Sequence, residues 1–402
     1  MTRTILSGGS VVLPDRVVEG GSLVVEDGRI AAVERRAYGR SNGRDELVVD
    51  THGRLVLPGF VDLHNDALEA EVNPRPRVNL PLPFAIATLD RRLAAAGVTT
   101  EFHAVFFANM ARKERKLVEA PGRARALLEH AASGRALVDH HVLFRVDIWD
   151  PASLESVLES SRGARVPLVS LNDHTPGQGQ YRDIEVFKAY FREALGRSRE
   201  DAERDAQAHV DHARDHPEIA PSVLARAATA TRERGLILMS HDDDTSERAE
   251  QMYAVGARIA EFPVTIEAAE RQRALGMTIT AGAPNVVRGG SASGNLDADA
   301  LLERGLVDVL CADYHAPSLI VALLKIVRAG RLGLPEAVRL VTLNAARAVR
   351  LDGTIGSLEP GKRADVAVVD PSGPVPTVEL TLLGGSVRYH APSRSGALAL
   401  VS

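Results

Sequence analysis

The sequence predicts an α/β fold, a (β/α)₈ TIM barrel with a small β-sandwich domain built from both chain termini. Three observations point there. Eight apolar, β-prone runs alternate with helical patterns through the middle of the chain, which is the signature of parallel strands joined by crossover helices. Both ends read as short, Gly-punctuated strands, while the middle does not. Aromatic residues make up only 4% of the 402 residues, so the core leans on Ala, Val, Leu and Ile. That composition suits parallel strands covered by helices. A doubly wound open sheet is the alternative.

The N-terminal strands come first. SLVVEDGRIAAVE is two β runs around Asp27-Gly28, a strong hairpin signal. ELVVDTHGRLVLPG continues the pattern, and TIGSLEPGKRADVAVVD and TVELTLLGGSVRYH repeat it near the other end. The economical organisation is one discontinuous β domain, 1–55 plus 349–402, with a barrel over 56–348 inserted in it.

The eight runs of the barrel are Val56–Leu63, Val98–Phe106, Val142–Ile148, Val166–Leu171, Leu236–Ser240, Arg258–Val264, Met277–Ala281 and Val307–Ala312. Helical patterns such as AIATLDRRLAAAG and TIEAAERQRALG lie between them, several ending on Gly, a common helix stop. Residues 175–235 form a long connection with a charged helical stretch, REDAERDAQAHVDHARDH. An insertion of this size after a barrel strand serves as a lid, a substrate-contacting arm or a plain solvated helix pair.

Charge and cysteine content exclude several classes. Lys+Arg minus Asp+Glu is 48 − 53 = −5, a poor balance for nucleic-acid binding. The single cysteine, Cys311, excludes an internal disulfide and a Cys-based zinc site. No stretch of about 18 apolar residues and no N-terminal apolar segment is present, so the expectation is a cytoplasmic protein with no membrane partner. Assembly into a homo-oligomer stays open.

In a barrel, chemistry sits at the carboxyl ends of the strands. The first run ends in Asp62-Leu63-His64-Asn65-Asp66 and the second near Glu101 and His103. Asp147 follows the third run, Asn172-Asp173-His174 the fourth and His241-Asp242-Asp243-Asp244 the fifth. Glu261 belongs to the sixth, Asn285 follows the seventh and Asp313-Tyr314-His315 the eighth. Imidazoles and carboxylates gathered at one end of strand after strand imply a bound cation, because buried charges must be paired or coordinated. His64 and Asp66 are two apart, so on a strand both face the same side. Mixed N/O ligands suit one or two divalent ions such as Zn, Mn or Fe. Asp147 is the candidate for a bridging carboxylate. Asp313 is placed to act as the base. Glu261 is better suited to orienting a neighbour than to ligation, and the three aspartates after His241 to fixing that imidazole.

LVLPGFVDLHND, the aspartate after the eighth strand and GSLEPGKRADVAVVD resemble the amidohydrolase superfamily over essentially the whole chain. The first-strand pair is His64-x-Asp66, where that superfamily usually has His-x-His. This departure, with HNDALE, NPRPRV, VSLNDHTPGQGQY, SHDDDT, AEFPVT, GAPNVVRGGSASGN and CADY, resembles a narrower family. Its members are the phosphonate-degradation diphosphatases acting on α-D-ribose 1-methylphosphonate 5-triphosphate. Asp147 stands where that family is expected to have Glu.

The resemblance implies a metal ligand set of His64, Asp66, Asp147, His174, His241 and Asp313. It implies hydrolysis by metal-activated water of a small phosphorylated sugar, to its 5-phosphate and pyrophosphate. A triphosphate needs cations and hydrogen-bond donors. Arg75 and Arg77 after the first strand, Gln178 and Gln180 after the fourth, and Asn285, Arg288 and Ser291 after the seventh are the candidates. The other reading is a C–N hydrolase or deaminase of the same superfamily, acting on a cyclic amide, acylated amino acid or nucleobase. It gains weight if Arg75, Arg77 and Arg288 turn away from the metal. A non-catalytic scaffold would have lost ligands that this chain retains.

Overall fold

The structure, a computed structural model, describes residues 3–39, 46–75, 77–109, 116–185, 187–189, 198–290 and 296–391. It contains two eight-stranded sheets. Strands of the first come from both termini: β1 (Arg3–Val12), β2 (Val17–Glu26), β3 (Arg29–Glu34), β4 (Glu46–Asp50) and β5 (Leu55–Pro58), with β14 (Val366–Asp370), β15 (Thr377–Leu383) and β16 (Ser386–His390). The second sheet holds β6 (Phe60–Asn65), β7 (Val98–Phe107), β8 (Asp139–Asp147), β9 (Leu168–Asn172), β10 (Ile237–His241), β11 (Ile259–Glu261), β12 (Thr278–Gly282) and β13 (Val309–Cys311), in chain order.

The terminal sheet runs β16-β15-β14-β5-β1-β2-β3. Asp27 and Gly28 have φ of 48° and 78°, as the two-residue hairpin between β2 and β3 demands. One edge of β1 serves two partners, β4 along Arg3–Ser7 and β5 along Ser10 and Val11. Between them the β1–β2 register shifts on either side of Gly9, and Gly8 has φ 81°. Bulges of this kind bend a strand. The mixed sheet encloses its own apolar core, including Leu6, Val11, Leu23, Val56, Val366 and Leu380.

The run predicted over Val56–Leu63 is therefore two strands. Leu55–Pro58 pairs antiparallel with β14, and the barrel strand begins at Phe60. Gly59 makes the break. A side chain there would put its Cβ 2.2 Å from Thr99 Oγ1, so only glycine fits the crossing.

The barrel strands read β13-β12-β11-β10-β9-β8-β7-β6 across the sheet, and a parallel bridge between Asn65 and Asp313 joins its two ends. Asp313 N–H donates to the His64 carbonyl at 2.9 Å and Asp66 N–H to the Asp313 carbonyl at 2.7 Å. The predicted helices form, among them Leu82–Ala95, Ala120–Ala132, Pro151–Ser160 and Ile266–Ala274. Within the 175–235 connection, helix Arg199–Asp215 is largely exposed. Ile219–Arg234 buries Ala220, Val223, Leu224, Ala227 and Ala230 and behaves as an ordinary barrel helix. Among the described residues, no helix is long and apolar enough to cross a membrane.

By its internal contacts the chain forms two compact units. One comprises Met1–Phe102, His130–His140 and Asp308–Ser402, and the other His103–Glu129 and His141–Val307.

Candidate metal centre

Within the second unit, the carboxyl ends of β8 to β11 hold a buried polar network. His241 closes β10, and its Nδ1 lies 2.5 Å from Glu261 Oε2 on β11. Ser170 Oγ donates to the same carboxylate oxygen at 3.0 Å. With the Nδ1 proton directed to Glu261, the imidazole turns a lone pair outward at Nε2. Asp242 Oδ2 is 3.2 Å from that Nε2. His174, His241 and Asp242 each offer a ligand atom, and the three lie within 4.8 Å of one another. Two imidazoles and a carboxylate converging in this way suit a divalent first-row ion.

Arg145 reaches the same imidazole. Its Nη2 is 3.0 Å from His241 Nε2, and Nη2 and Nε both donate to Asn172 Oδ1, at 2.6 and 3.0 Å. Its guanidinium lies 5.2 Å over the Phe106 ring. Sequence reasoning missed Arg145. The signal was there: it sits two residues before Asp147, so the pleat turns both side chains to one face.

The aspartates after His241 divide the labour. Asp243 accepts from Ser240 Oγ at 2.5 Å and Gln272 Nε2 at 2.7 Å, and Asp244 accepts the Gly179 N–H at 2.9 Å. Asp242 alone of the three joins the metal-ligating cluster. Asp147 ends β8, half-buried, and burial pushes its carboxyl up to about 6.

Within the first unit, His64, Asp66 and Asp313 meet at the seam that closes the barrel, through the backbone bonds already given. His64 is buried, and Asp66 and Asp313 are half-buried. Below them on the strands, Asp62 Oδ1 accepts the N–H groups of Ala312 at 2.9 Å and His64 at 3.2 Å. Asp62 and Glu101 are fully buried, and their carboxyl groups interact. Burial pushes Asp62 up to about 7. Burial and the Asp62 charge hold Glu101 well above the carboxylate range.

Backbone strain marks the same strand ends. Asp242, Phe262 and Asp313 have φ of 56°, 55° and 58°. Such conformations in non-glycine residues persist where surrounding structure enforces them, and they concentrate at functional sites.

The candidate substrate contacts differ in exposure. Arg75, Arg77 and Arg288 are solvent-exposed, while Gln178, Gln180 and Asn285 are half-buried. Ser291 lies outside the described residues.

Residues 195–390 match the model of the Amidohydrolase family. The chain is 35% identical over 376 residues to alpha-D-ribose 1-methylphosphonate 5-triphosphate diphosphatase of Escherichia coli, covering 90% of this chain and 94% of that protein. It is 27% identical over 388 residues to imidazolonepropionase of Symbiobacterium thermophilum, covering 88% and 84%. Among solved structures, a protein from Bifidobacterium longum superposes with a TM-score of 0.65 at 15% identity, covering 96% of this chain and 94% of that one. Molinate hydrolase does so with a TM-score of 0.63 at 16% identity and the same coverage. At such identities the likeness is one of fold.

Proposed function

The chain belongs to the amidohydrolase family and is a metal-dependent hydrolase, and on that premise we propose that it cleaves a phosphoric anhydride. The substrate in this reading is α-D-ribose 1-methylphosphonate 5-triphosphate, and the products are the 5-phosphate and pyrophosphate. The observation that carries it is identity of 35% sustained through 94% of the E. coli diphosphatase.

His64, Asp66, Asp147, His174, His241 and Asp313 are the proposed ligands, with Asp242 added by the cluster it forms. These side chains would hold one or two divalent ions, which when bound would supply Lewis acidity and a more acidic water at the site. Asp313 takes the proton of the attacking water at its carboxylate. Glu261 fixes the His241 tautomer. Arg145 supplies a preorganised cation for charge developing on phosphoryl oxygens. Gln178, Gln180, Asn285, Arg288, Ser291, Arg75 and Arg77 are assigned to recognition of the triphosphate and the sugar.

A second reading, hydrolysis of a C–N bond in a cyclic amide, acylated amino acid or nucleobase, has specific support. Arg75, Arg77 and Arg288 are exposed and take no part in the buried cluster, so the triphosphate contacts rest on the resemblance alone. The similarity to imidazolonepropionase runs over 88% of the chain.

Phosphorus NMR decides between them. Mn²⁺- or Zn²⁺-loaded protein is mixed with the ribosyl triphosphate and the products are followed. Pyrophosphate and the 5-monophosphate, absent with Asp313→Asn, support the first reading. Intact triphosphate with metal bound overturns it and directs assays to amides and nucleobases.

A further inference from the structure

A second cluster with metal-ligating chemistry lies within the first unit, at the amino-terminal end of a barrel strand. Asp90 comes from helix Leu82–Ala95, His130 from the last turn of helix Ala120–Ala132, and His140 is the second residue of β8. Asp90 and His140 are buried, and the His130 side chain is 20% exposed. His140 Nε2 is 3.0 Å from Asp90 Oδ1, and His130 Nε2 is 3.0 Å from Oδ2. A ligand atom from each residue lies within 4.8 Å of the other two.

These spacings suit a shared ion. Zinc bonds of about 2.1 Å at tetrahedral angles put neighbouring ligand atoms about 3.4 Å apart, within the 4.8 Å that encloses the three ligand atoms here. Held by protons alone, both imidazoles must carry their hydrogen on Nε2 and donate to one carboxylate. The carboxylate is also anchored from behind. Leu137 N–H donates to both oxygens, at 3.1 and 3.0 Å, and Val138 N–H to Oδ1 at 3.1 Å. Backbone donors of this kind orient ligating carboxylates in metal sites. Two imidazoles with one carboxylate favour borderline divalent ions over magnesium or calcium. The amino-terminal end of a barrel strand is where residues serve stability rather than chemistry.

We propose that Asp90, His130 and His140 form a structural site for a divalent first-row ion, with zinc as the reference ligand, which ties His130 and the start of β8 to helix Leu82–Ala95. The proposal is independent of which hydrolytic reading holds.

The test uses the full chain as wild type and as His130→Asn and His140→Asn. Each is grown with zinc, dialysed, and assayed for metal per chain and for the change in Tm on adding zinc after chelation. Cobalt substitution adds a visible-absorption readout. The wild type is expected to hold one more equivalent than His130→Asn and to show a zinc-dependent Tm rise in excess of that variant's. Its cobalt spectrum should contain a component that the variant lacks. His140 is buried, so loss of folding in that variant would leave the decision with His130→Asn, whose ring is partly exposed. A folded His130→Asn protein with wild-type metal content, Tm response and cobalt spectrum overturns the site.

Discussion

Glu261 Oε2 lies 2.5 Å from Nδ1 of His241, and both side chains are buried. The carboxylate fixes the imidazole tautomer and aims Nε2 towards Asp242. Glu261→Gln keeps the shape and removes the charge. Metal affinity, measured by competition with a chromophoric chelator, is expected to fall about 10- to 100-fold. Unchanged affinity would mean that His241 needs no such partner.

Glu261 was legible as an orienting residue, but its partner was not. The three aspartates after His241 were expected to fix that imidazole, and it is the pairing of β10 with β11 that sets Glu261 against Nδ1. The barrel and the two-ended β domain were legible because periodicity and glycine stops are local signals. Arg145 was missed although its spacing from Asp147 was a usable signal. A lone arginine inside a β run reads as a surface residue unless its strand is known to be buried on both faces. Asp90, His130 and His140 escaped because helix, helix and strand must be packed before they meet. The break at Gly59 was hidden because its cause is the Thr99 side chain, 40 residues away.

Asp62 and Glu101 give the fold a signed pH dependence. Burial raises the Asp62 pKa to about 7 in the folded protein, while an unfolded aspartate titrates near 3.9. Between those values the folded state keeps a proton that the unfolded state has lost. The contribution is fully present below about pH 4 and is lost as pH rises through about 7. Asp62→Asn retains an acceptor for the Ala312 N–H and removes the titration. Its Tm, relative to wild type, is expected to rise progressively from pH 5 to pH 8. A Tm difference independent of pH would show that Asp62 is ionised throughout that range.

Asp313→Asn tests the proposed base without disturbing the chain path. Asp313 has φ 58°, a conformation that asparagine tolerates better than most residues. Its backbone bonds to His64 and Asp66 do not use the side chain. Turnover is expected to fall by about 10² to 10⁴ with Tm nearly unchanged. Activity near wild type would remove Asp313 from proton transfer.

Arg145 separates the two functional readings. It is a nearly buried cation held in one orientation by the Asn172 oxygen and the Phe106 ring. Arg145→Met retains much of the apolar stem and deletes the charge. Arg145→Lys restores the charge without the fork. For a triphosphate substrate, the methionine variant is expected to lose about 10²-fold in kcat/KM, with partial recovery in the lysine variant. Inhibition by inorganic pyrophosphate should weaken in parallel. Tm and metal content are measured alongside, because the substitution leaves Asn172 without this donor and some loss of stability follows. Pyrophosphate inhibition that is equal in all three folded, metal-loaded proteins would show that Arg145 meets no phosphate. The guanidinium would then serve only to hold His241 and Asn172 in place, and recognition of an anion would have to come from the exposed loop arginines.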